Sequence, residues 1–402
     1  MPTRHVHPSF FMILILPFGV MGGYVNVTLG YLLSQAGISV EKIAALIALS
    51  LLPHTWKFAW APIVDTTLSR RAWYLISGVA SAAGIWATGM LPIRAASLPM
   101  LSAVVLVSNV AVTFLGMAVN SLMAYTTPEE LKGQAGGWFQ AGNLGGTGLG
   151  GGAGLWLARI LPAPWMAGAG LAVACLLCCA PLAFMPEPHS PHREGGALRS
   201  LANVGRDLWG VVTSRVGLLA LFLCFLPIGS GAASNLWPAV ADGWRASAGT
   251  VALVTGVLGG ILMAAGCVGG GWICDRVDRK AAYVAYGALQ AACALGMAVA
   301  PRTEAMYVVF TSAYAVITGF TYAGFTAVVL EAMGMGAAAT KYNVYASISN
   351  FPIYYVTQLD GWAHTRWGPR GMLEAEAVVG ALGLMLFMTV WVALPRRRPA
   401  TA

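Results

Sequence analysis

The sequence predicts an all-α membrane protein in which twelve transmembrane helices form two six-helix bundles. Of its 402 residues, 58% are hydrophobic and only 9% are charged, against roughly a quarter charged in an ordinary soluble domain. The apolar residues form long runs separated by short polar patches, and one membrane span needs about 20 apolar residues. Twelve such runs occupy most of the chain, which excludes a water-soluble enzyme of this size.

The predicted spans follow one another closely, and one longer polar interruption divides them six and six. They lie at 9–34, 41–64, 72–92, 97–125, 135–160, 163–185, 215–240, 247–273, 281–300, 303–333, 342–365 and 371–395. The interruption is rich in Pro, His, Arg and Gly, which is typical of a flexible linker, with a surface helix predicted over 198–212. We therefore expect an N-terminal bundle at 1–185, a cytoplasmic linker at 186–214 and a C-terminal bundle at 215–402.

The net charge of +8 is distributed by the side of the predicted membrane. Most of the 23 Lys and Arg residues fall on the side that holds both termini and the linker. The positive-inside rule places that side in the cytoplasm. The charge therefore orients the chain, and no nucleic-acid partner is expected.

A short motif ends the second and the eighth spans. In each copy a small residue is followed by three apolar residues and an Asp, from Ala61 to Asp65 and from Gly271 to Asp275. The small residue lets helices approach, and the Asp can bond a helix N-terminus or pair with Arg. Ordinary positive-inside flanks would explain the basic residues but not the matched Asp. The residues expected to form a cytoplasmic gate are Asp65, Arg70, Arg71, Asp275, Arg276 and Arg279.

The duplicated motif and the six-plus-six plan resemble the major facilitator superfamily over the whole chain. Within it, six features resemble the AmpG-type muropeptide permeases and are similar to the related siderophore permeases and acetyl-CoA transporters. These are Phe18, Gly19, Gly22 and Gly23 of the first span, the segments Ile38–Ile43, Lys57–Asp65, Thr126–Gly133 and Ala339–Asn350, and the glycine-rich fifth span. The resemblance implies a secondary transporter whose two bundles rock around a central site in alternating access.

Glycines recur along the fifth span with the G-x-x-x-G spacing. Gly142, Gly146, Gly150 and Gly154 lie four residues apart, so they share one face of a helix. Such a face lets two membrane helices touch backbone to backbone. A dinucleotide-type G-x-G-x-x-G in the same stretch lacks the preceding strand that such a site needs. Close helix packing is therefore the expected role.

Lys57 lies inside the second span, where an ionisable side chain costs about 2.5–3.5 kcal/mol at the helix centre. It precedes Asp65 by eight residues, which on a helix places it about 12 Å from the cytoplasmic end. His54 lies one turn earlier on the same face, and Pro53 permits a local break. We interpret Lys57 as an anchor for an anionic group of the cargo. The alternative is an internal ion pair or bonds to backbone oxygens.

The first, fourth, seventh and tenth spans line the central cavity of such a fold, as the resemblance implies, so their polar side chains are candidates for binding substrate. Polar residues of the second, fifth and eleventh spans join them. The predicted substrate-binding residues are Tyr24, Asn26, Tyr31, His54, Lys57, Asn120, Gln140, Asn143, Ser234, Asn235, Tyr314, Tyr322, Asn350 and Tyr354. They indicate a polar cargo of some size. No metal or cofactor is expected, because no carboxylate cluster suits a hard cation.

Acids within the predicted spans are few. The related permeases commonly carry an acid at the end of the fourth span, where this chain has Asn120. Glu331 and Asp360 are the proton-coupling candidates, with His54 as a third titratable group. The alternatives are a gate residue that is solvated or paired with Lys341 for Glu331, and a capping or loop-tethering role for Asp360.

These features predict a secondary active transporter of the bacterial inner membrane, with both termini cytoplasmic, that imports a polar, anionic organic solute such as a cell-wall fragment or siderophore. Efflux of a small organic solute is the first alternative. A transport-dead sensor would need a sizeable signalling domain, and a membrane-embedded enzyme would need a catalytic constellation that the sequence does not contain. The expected partners are a small-molecule substrate, the lipid bilayer and protons, and the chain is expected to act as a monomer.

Overall fold

The computed structural model describes residues 6–38, 40–187, 197–333 and 337–393. Within these ranges all regular secondary structure is helical. Residues 188–196 of the predicted linker lie outside them, so the domain boundaries stay a prediction. Seven described helices are long and apolar enough to cross a membrane, or eight if one bent pair counts as a span. One of the seven stretches, Ala338–Trp391, contains two spans joined at a kink.

Several spans consist of consecutive helical segments. Spans 1 to 6 comprise Ser9–Gly23, Tyr24–Leu29 and Gly30–Gln35; Val40–Trp56, Lys57–Ala59 and Ala61–Thr66; Arg70–Met90; Leu98–Thr126; Lys132–Gly148, Leu149–Ala153 and Gly154–Ile160; and Pro164–Leu177 with Ala180–Phe184. The helix Ala197–Thr213, which we call the linker helix, matches the surface helix predicted over 198–212. Spans 7 to 12 comprise Arg215–Phe225, Ala232–Leu236, Trp237–Val240 and Ala241–Trp244; Ala248–Thr255 and Val257–Cys274; Arg279–Val299; Glu304–Met333; Ala338–Ile348 and the first part of Asn350–Ala393; and the rest of Asn350–Ala393.

The breaks within and between spans have local causes. Gly368 adopts a non-helical conformation with φ of 72° just before Pro369, which separates spans 11 and 12. In span 7, Gly229 and Gly231 have φ of 63° and 70°, a region that disfavours any residue with a Cβ. Pro53, which permits a local break, lies inside the helix Val40–Trp56, and the helix gives way to a tighter turn at Lys57.

The glycine face of span 5 packs against span 1, which confirms the packing predicted from the G-x-x-x-G spacing. A Cβ added to Gly142 would lie 2.2 Å from the Met12 carbonyl oxygen, and one added to Gly150 would lie 2.1 Å from that of Val20. Real atoms do not approach so closely, so only glycine allows this helix separation. The N-terminal bundle is therefore built on direct backbone contact between spans 1 and 5.

Gly142→Ala should lower the thermal stability of the purified protein, by about 1–3 kcal/mol in free energy of unfolding, because the added methyl group overpacks a backbone contact. Gly148→Ala is the matched control in the same helix, since no atom lies within 4 Å of a Cβ added there. We expect it to leave stability unchanged or raise it slightly. Thermal unfolding in detergent measures both, and equal melting temperatures for the two variants would contradict the packing argument.

Candidate substrate cavity and gate

A cavity of about 340 Å³ lies between the two bundles. Spans 1, 2, 4 and 5 line it from the N-terminal side, and spans 7, 9, 10 and 11 from the C-terminal side. Its walls combine apolar rings with hydroxyl and amide groups. A site of this size and mixed character suits a small organic molecule.

Eight of the predicted substrate-binding residues line this cavity. They are Asn26, His54, Lys57, Asn120, Gln140, Asn143, Tyr322 and Asn350. Gln140 also joins the two bundles, since its amide nitrogen donates to the Thr326 hydroxyl at 2.8 Å. The structure thus brings polar groups from distant parts of the chain to one place.

The other six candidates lie away from the cavity walls, each in a different setting. Tyr24 is buried in the N-terminal core, the Tyr31 ring lies under Arg159 at 4.9 Å, and Tyr354 is 68% exposed. Ser234 donates to the Gly231 carbonyl, Asn235 donates to Thr357, and Tyr314 donates to Glu376. Assigning whole spans to the cavity misplaces these residues, because only one face of each helix points inward.

Sequence reasoning missed several polar lining residues. They are Thr113, Thr147, Tyr283, Thr321, Tyr342, Asn343 and Ser349. Helical periodicity could have found two of them, because Thr147 lies one turn after Asn143 and Asn343 lies two turns before Asn350. Tyr283 carried no such signal, since the family resemblance does not place span 9 on the cavity.

Lys57 brings a positive charge to the cavity wall. It begins the tight turn Lys57–Ala59 that interrupts span 2, which turns its side chain toward the cavity. Among the described residues no carboxylate lies within 4 Å of its ammonium group. His54 is its neighbour, with Nε2 3.3 Å from Asn109 Oδ1. This arrangement leaves the Lys57 charge available to a ligand.

The two matched aspartates each bind the N-terminus of a helix in the opposite bundle. Asp65 accepts hydrogen bonds from the backbone N–H groups of Ala339 at 3.2 Å and Thr340 at 2.8 Å, and from the Thr340 hydroxyl. Asp275 accepts from the N–H groups of Gly133 at 2.6 Å and Gln134 at 2.8 Å. Each carboxylate thus meets the positive end of a helix dipole. We call this end of the molecule the motif end, and the opposite end the far end.

The basic residues of the two motifs differ in their partners. The backbone N–H groups of Arg70 and Arg71 donate to Glu187 at the beginning of the predicted linker, and Arg276 lies over Trp272 of its own span. Arg279 reaches across, since Nη1 lies 2.5 Å from a carboxylate oxygen of Glu129. Arg279 therefore adds an ion pair between the bundles to the hydrogen bonds of the two aspartates.

Glu129, the acidic partner of Arg279, lies in the turn between spans 4 and 5. Partial burial acts to raise its pKa, but Lys132 and Arg279 outweigh that effect and hold the pKa below its usual value. Glu129 therefore stays ionised at neutral pH, and the ion pair with Arg279 persists there.

The proton-coupling candidates occupy different environments. Glu331 forms an ion pair with Lys280 and lies 3.7 Å from Arg279. The alternative pair of Glu331 with Lys341 does not form, and Lys341 lies 2.9 Å from Asp207 of the linker helix. Asp360 is fully buried within the C-terminal bundle, where its side chain interacts with that of Glu376. The alternative capping role of Asp360 is not observed, since its carboxyl oxygens contact no N–H group of the described residues.

The two bundles approach each other most closely at the motif end, as spans 5 and 8 show. A Cβ added to Gly137 would lie 2.4 Å from the Cys267 carbonyl oxygen, whereas one on Gly145 would lie 3.9 Å from Ala264. A Cβ added to Gly271, the small residue of the second motif, would likewise lie 2.4 Å from the Gly133 carbonyl oxygen. The cavity is therefore closed at the motif end.

Comparison with known proteins agrees with this architecture. The family model described as Major Facilitator Superfamily matches residues 10–353. Comparison with curated protein sequences gives no match. Among solved structures, the human organic anion transporter MFSD10 (TETRAN) is 15% identical with a TM-score of 0.72, and covers 96% of this chain and 100% of its own.

Two sugar transporters have the same fold. The E. coli fucose:proton symporter FucP is 14% identical with a TM-score of 0.71, over 95% of this chain and 98% of that one. The proton:xylose symporter XylE, bound to 6-bromo-6-deoxy-D-glucose, is 16% identical with a TM-score of 0.69, over 96% of this chain and 95% of that one. These likenesses confirm the predicted twelve-helix fold in two bundles. Since the family model matches most of the chain, this protein belongs to the major facilitator superfamily and is a membrane transporter, not an enzyme.

Proposed function

We propose that the protein is a secondary active importer of a polar, anionic organic solute in the bacterial inner membrane. Within the superfamily, its motifs favour the group of the AmpG-type muropeptide permeases, siderophore permeases and acetyl-CoA transporters. The motif end then faces the cytoplasm, and the closed gate leaves the cavity in the outward-facing half of the transport cycle.

The observation that carries this proposal is Lys57 in the central cavity. A single ammonium group with no carboxylate partner among the described residues is costly in a membrane protein unless a ligand supplies the anion. Hydroxyl and amide groups of both bundles surround it and can bind the rest of a polar molecule. A neutral sugar would leave the ammonium group without a counter-charge, so we favour a carboxylate or phosphate compound.

Alternating access requires a gate that can open at each end in turn. Asp65 and Asp275 hold the motif end closed through four backbone hydrogen bonds that cross between the bundles. Charge-assisted bonds of this kind are shorter and stronger than neutral ones, so making and breaking them changes the stability of the closed end. Their placement supports a rocking motion of the two bundles about the cavity.

Untargeted comparison of metabolites in bacterial cells with and without the gene tests the cargo and its direction. We expect an anionic, polar compound to be enriched inside cells that express the protein and depleted from the medium. Cells that express the double variant Asp65→Asn, Asp275→Asn are the control, because that protein occupies the membrane with an impaired gate. Enrichment of the compound in the medium instead would establish efflux. If the compound whose concentration changes is neutral, the anionic assignment is contradicted.

A further inference from the structure

Two carboxyl groups lie buried side by side in the C-terminal bundle, outside the central cavity. Asp360 of span 11 is 0% exposed and Glu376 of span 12 is 6% exposed. They lie eight residues before and eight residues after the break at Gly368 that separates the two spans, and their carboxyl groups interact electrostatically. Within the described part of the chain, no Lys, Arg or His lies within 4 Å of either carboxyl group. Two adjacent negative charges without a cation are strongly unfavourable in such a site. The pair therefore holds a proton.

Hydrogen bonds indicate which carboxyl group carries that proton. The Tyr314 hydroxyl donates to one oxygen of Glu376 at 2.5 Å, and the Ala233 N–H donates to the other at 3.1 Å. Two donors stabilise the ionised form of Glu376. Neither oxygen of Asp360 has a hydrogen-bond partner of normal geometry among the described residues. Asp360 is therefore the group that binds the exchangeable proton.

The pair is connected to the cavity through the broken part of span 7. Ala233, which donates to Glu376, follows Gly229 and Gly231, the two residues with positive φ. Gly229 itself lines the cavity and lies against Gln290 of span 9, whose amide donates to Thr318 of span 10 at 3.0 Å. A change of charge on the pair thus acts on a segment that reaches the substrate cavity.

We propose that Asp360 and Glu376 form a proton-binding site that sets the position of the broken segment of span 7. Proton uptake forms an O–H bond on Asp360 and changes the charge of the pair from two negative charges to one. Of the described elements around the pair, span 10 contributes the only further titratable group that interacts with it, Tyr314. Span 7 contributes the Ala233 N–H, and the Gln290 amide of span 9 interacts with Tyr314. The coupling of this proton to cargo rests on the proposed function, whereas the site itself does not.

Infrared spectroscopy of the purified full chain in lipid detects the proton without any cargo. We expect a protonated-carboxyl C=O band at neutral pH that shifts on transfer to D₂O, and its loss in Asp360→Asn. Glu331→Gln is the matched control, because it removes a carboxyl group that forms an ion pair with Lys280 and is not part of the Asp360–Glu376 pair. Persistence of the band in Asp360→Asn would overturn the proposal. Its loss from wild type on adding sodium at constant pH would also overturn it, since that would identify a cation site.

Two further variants keep the test decisive if Asp360→Asn does not fold. Glu376→Gln removes the adjacent negative charge, so Asp360 should release its proton at lower pH, by about one unit or more. Tyr314→Phe removes a donor to ionised Glu376, so the pair should keep its proton to higher pH. Opposite shifts of the band support the shared site. Unchanged titration in both variants would overturn it. A failure of the metabolite experiment would leave these results intact.

Discussion

Lys57→Met should weaken binding of an anionic cargo about tenfold or more while leaving a neutral ester of the same compound almost unaffected. A charge-assisted hydrogen bond contributes about 1.5–3 kcal/mol, and each 1.4 kcal/mol changes the dissociation constant roughly tenfold. The Met side chain keeps much of the Lys volume, so the cavity shape is conserved and only the charge is lost. Isothermal titration calorimetry with the acid and the ester forms separates the contribution of the charge from that of the cavity shape.

Lys42→Met is the control for the Lys57 variant. Lys42 is an exposed lysine near the beginning of span 2, outside the cavity, so its removal changes net charge without changing the site. We expect wild-type affinity for both forms of the cargo. Equal losses for the acid and the ester in Lys57→Met would show that Lys57 shapes the cavity, and the anionic assignment would be wrong.

The fold was predictable because composition and repetition encode it directly. Long apolar runs specify spans, and the matched copies of the motif at Asp65 and Asp275 indicate two related halves. The chemistry of a carboxylate near a membrane surface predicted that each Asp could bond a helix N-terminus. The sequence did not predict which helix each Asp would contact, because the partner helix of Asp65 begins more than 270 residues later, at Ala338.

The acid pair shows what a reading along the chain cannot reach. Asp360 was a candidate because it lies within an apolar run, but Glu376 follows Glu374 near the beginning of span 12 and resembles a polar flank. Their contact depends on the turn at Gly368, which folds span 12 back against span 11. The direction of a side chain around its helix was equally hard to predict. Tyr314 and Tyr322 both lie in span 10, but Tyr314 donates to Glu376 of the acid pair and Tyr322 lines the cavity.

The double variant Asp65→Asn, Asp275→Asn should shift the protein toward the state that is open at the motif end. Each carboxylate accepts two backbone N–H bonds from a helix of the other bundle, and the neutral amide loses the charge that strengthens them. If each site loses about 1.5 kcal/mol, the closed-to-open ratio falls roughly 150-fold. Transport should slow, because the outward-facing state is depleted, while cargo affinity stays within about a factor of ten.

Pulsed electron–electron resonance between spin labels at the motif ends of the two bundles measures this shift as a longer distance. Asp278→Asn is the matched control, since Asp278 lies at the same end but caps its own helix, accepting from the Ala281 N–H at 2.9 Å. Asn at this position can still accept that bond, so the variant removes a negative charge at the motif end without losing a contact between the bundles, and its distance distribution should match wild type. A double variant whose distances and transport rate both equal those of wild type would rule out the gate, because the inter-bundle bonds would then contribute nothing to closure.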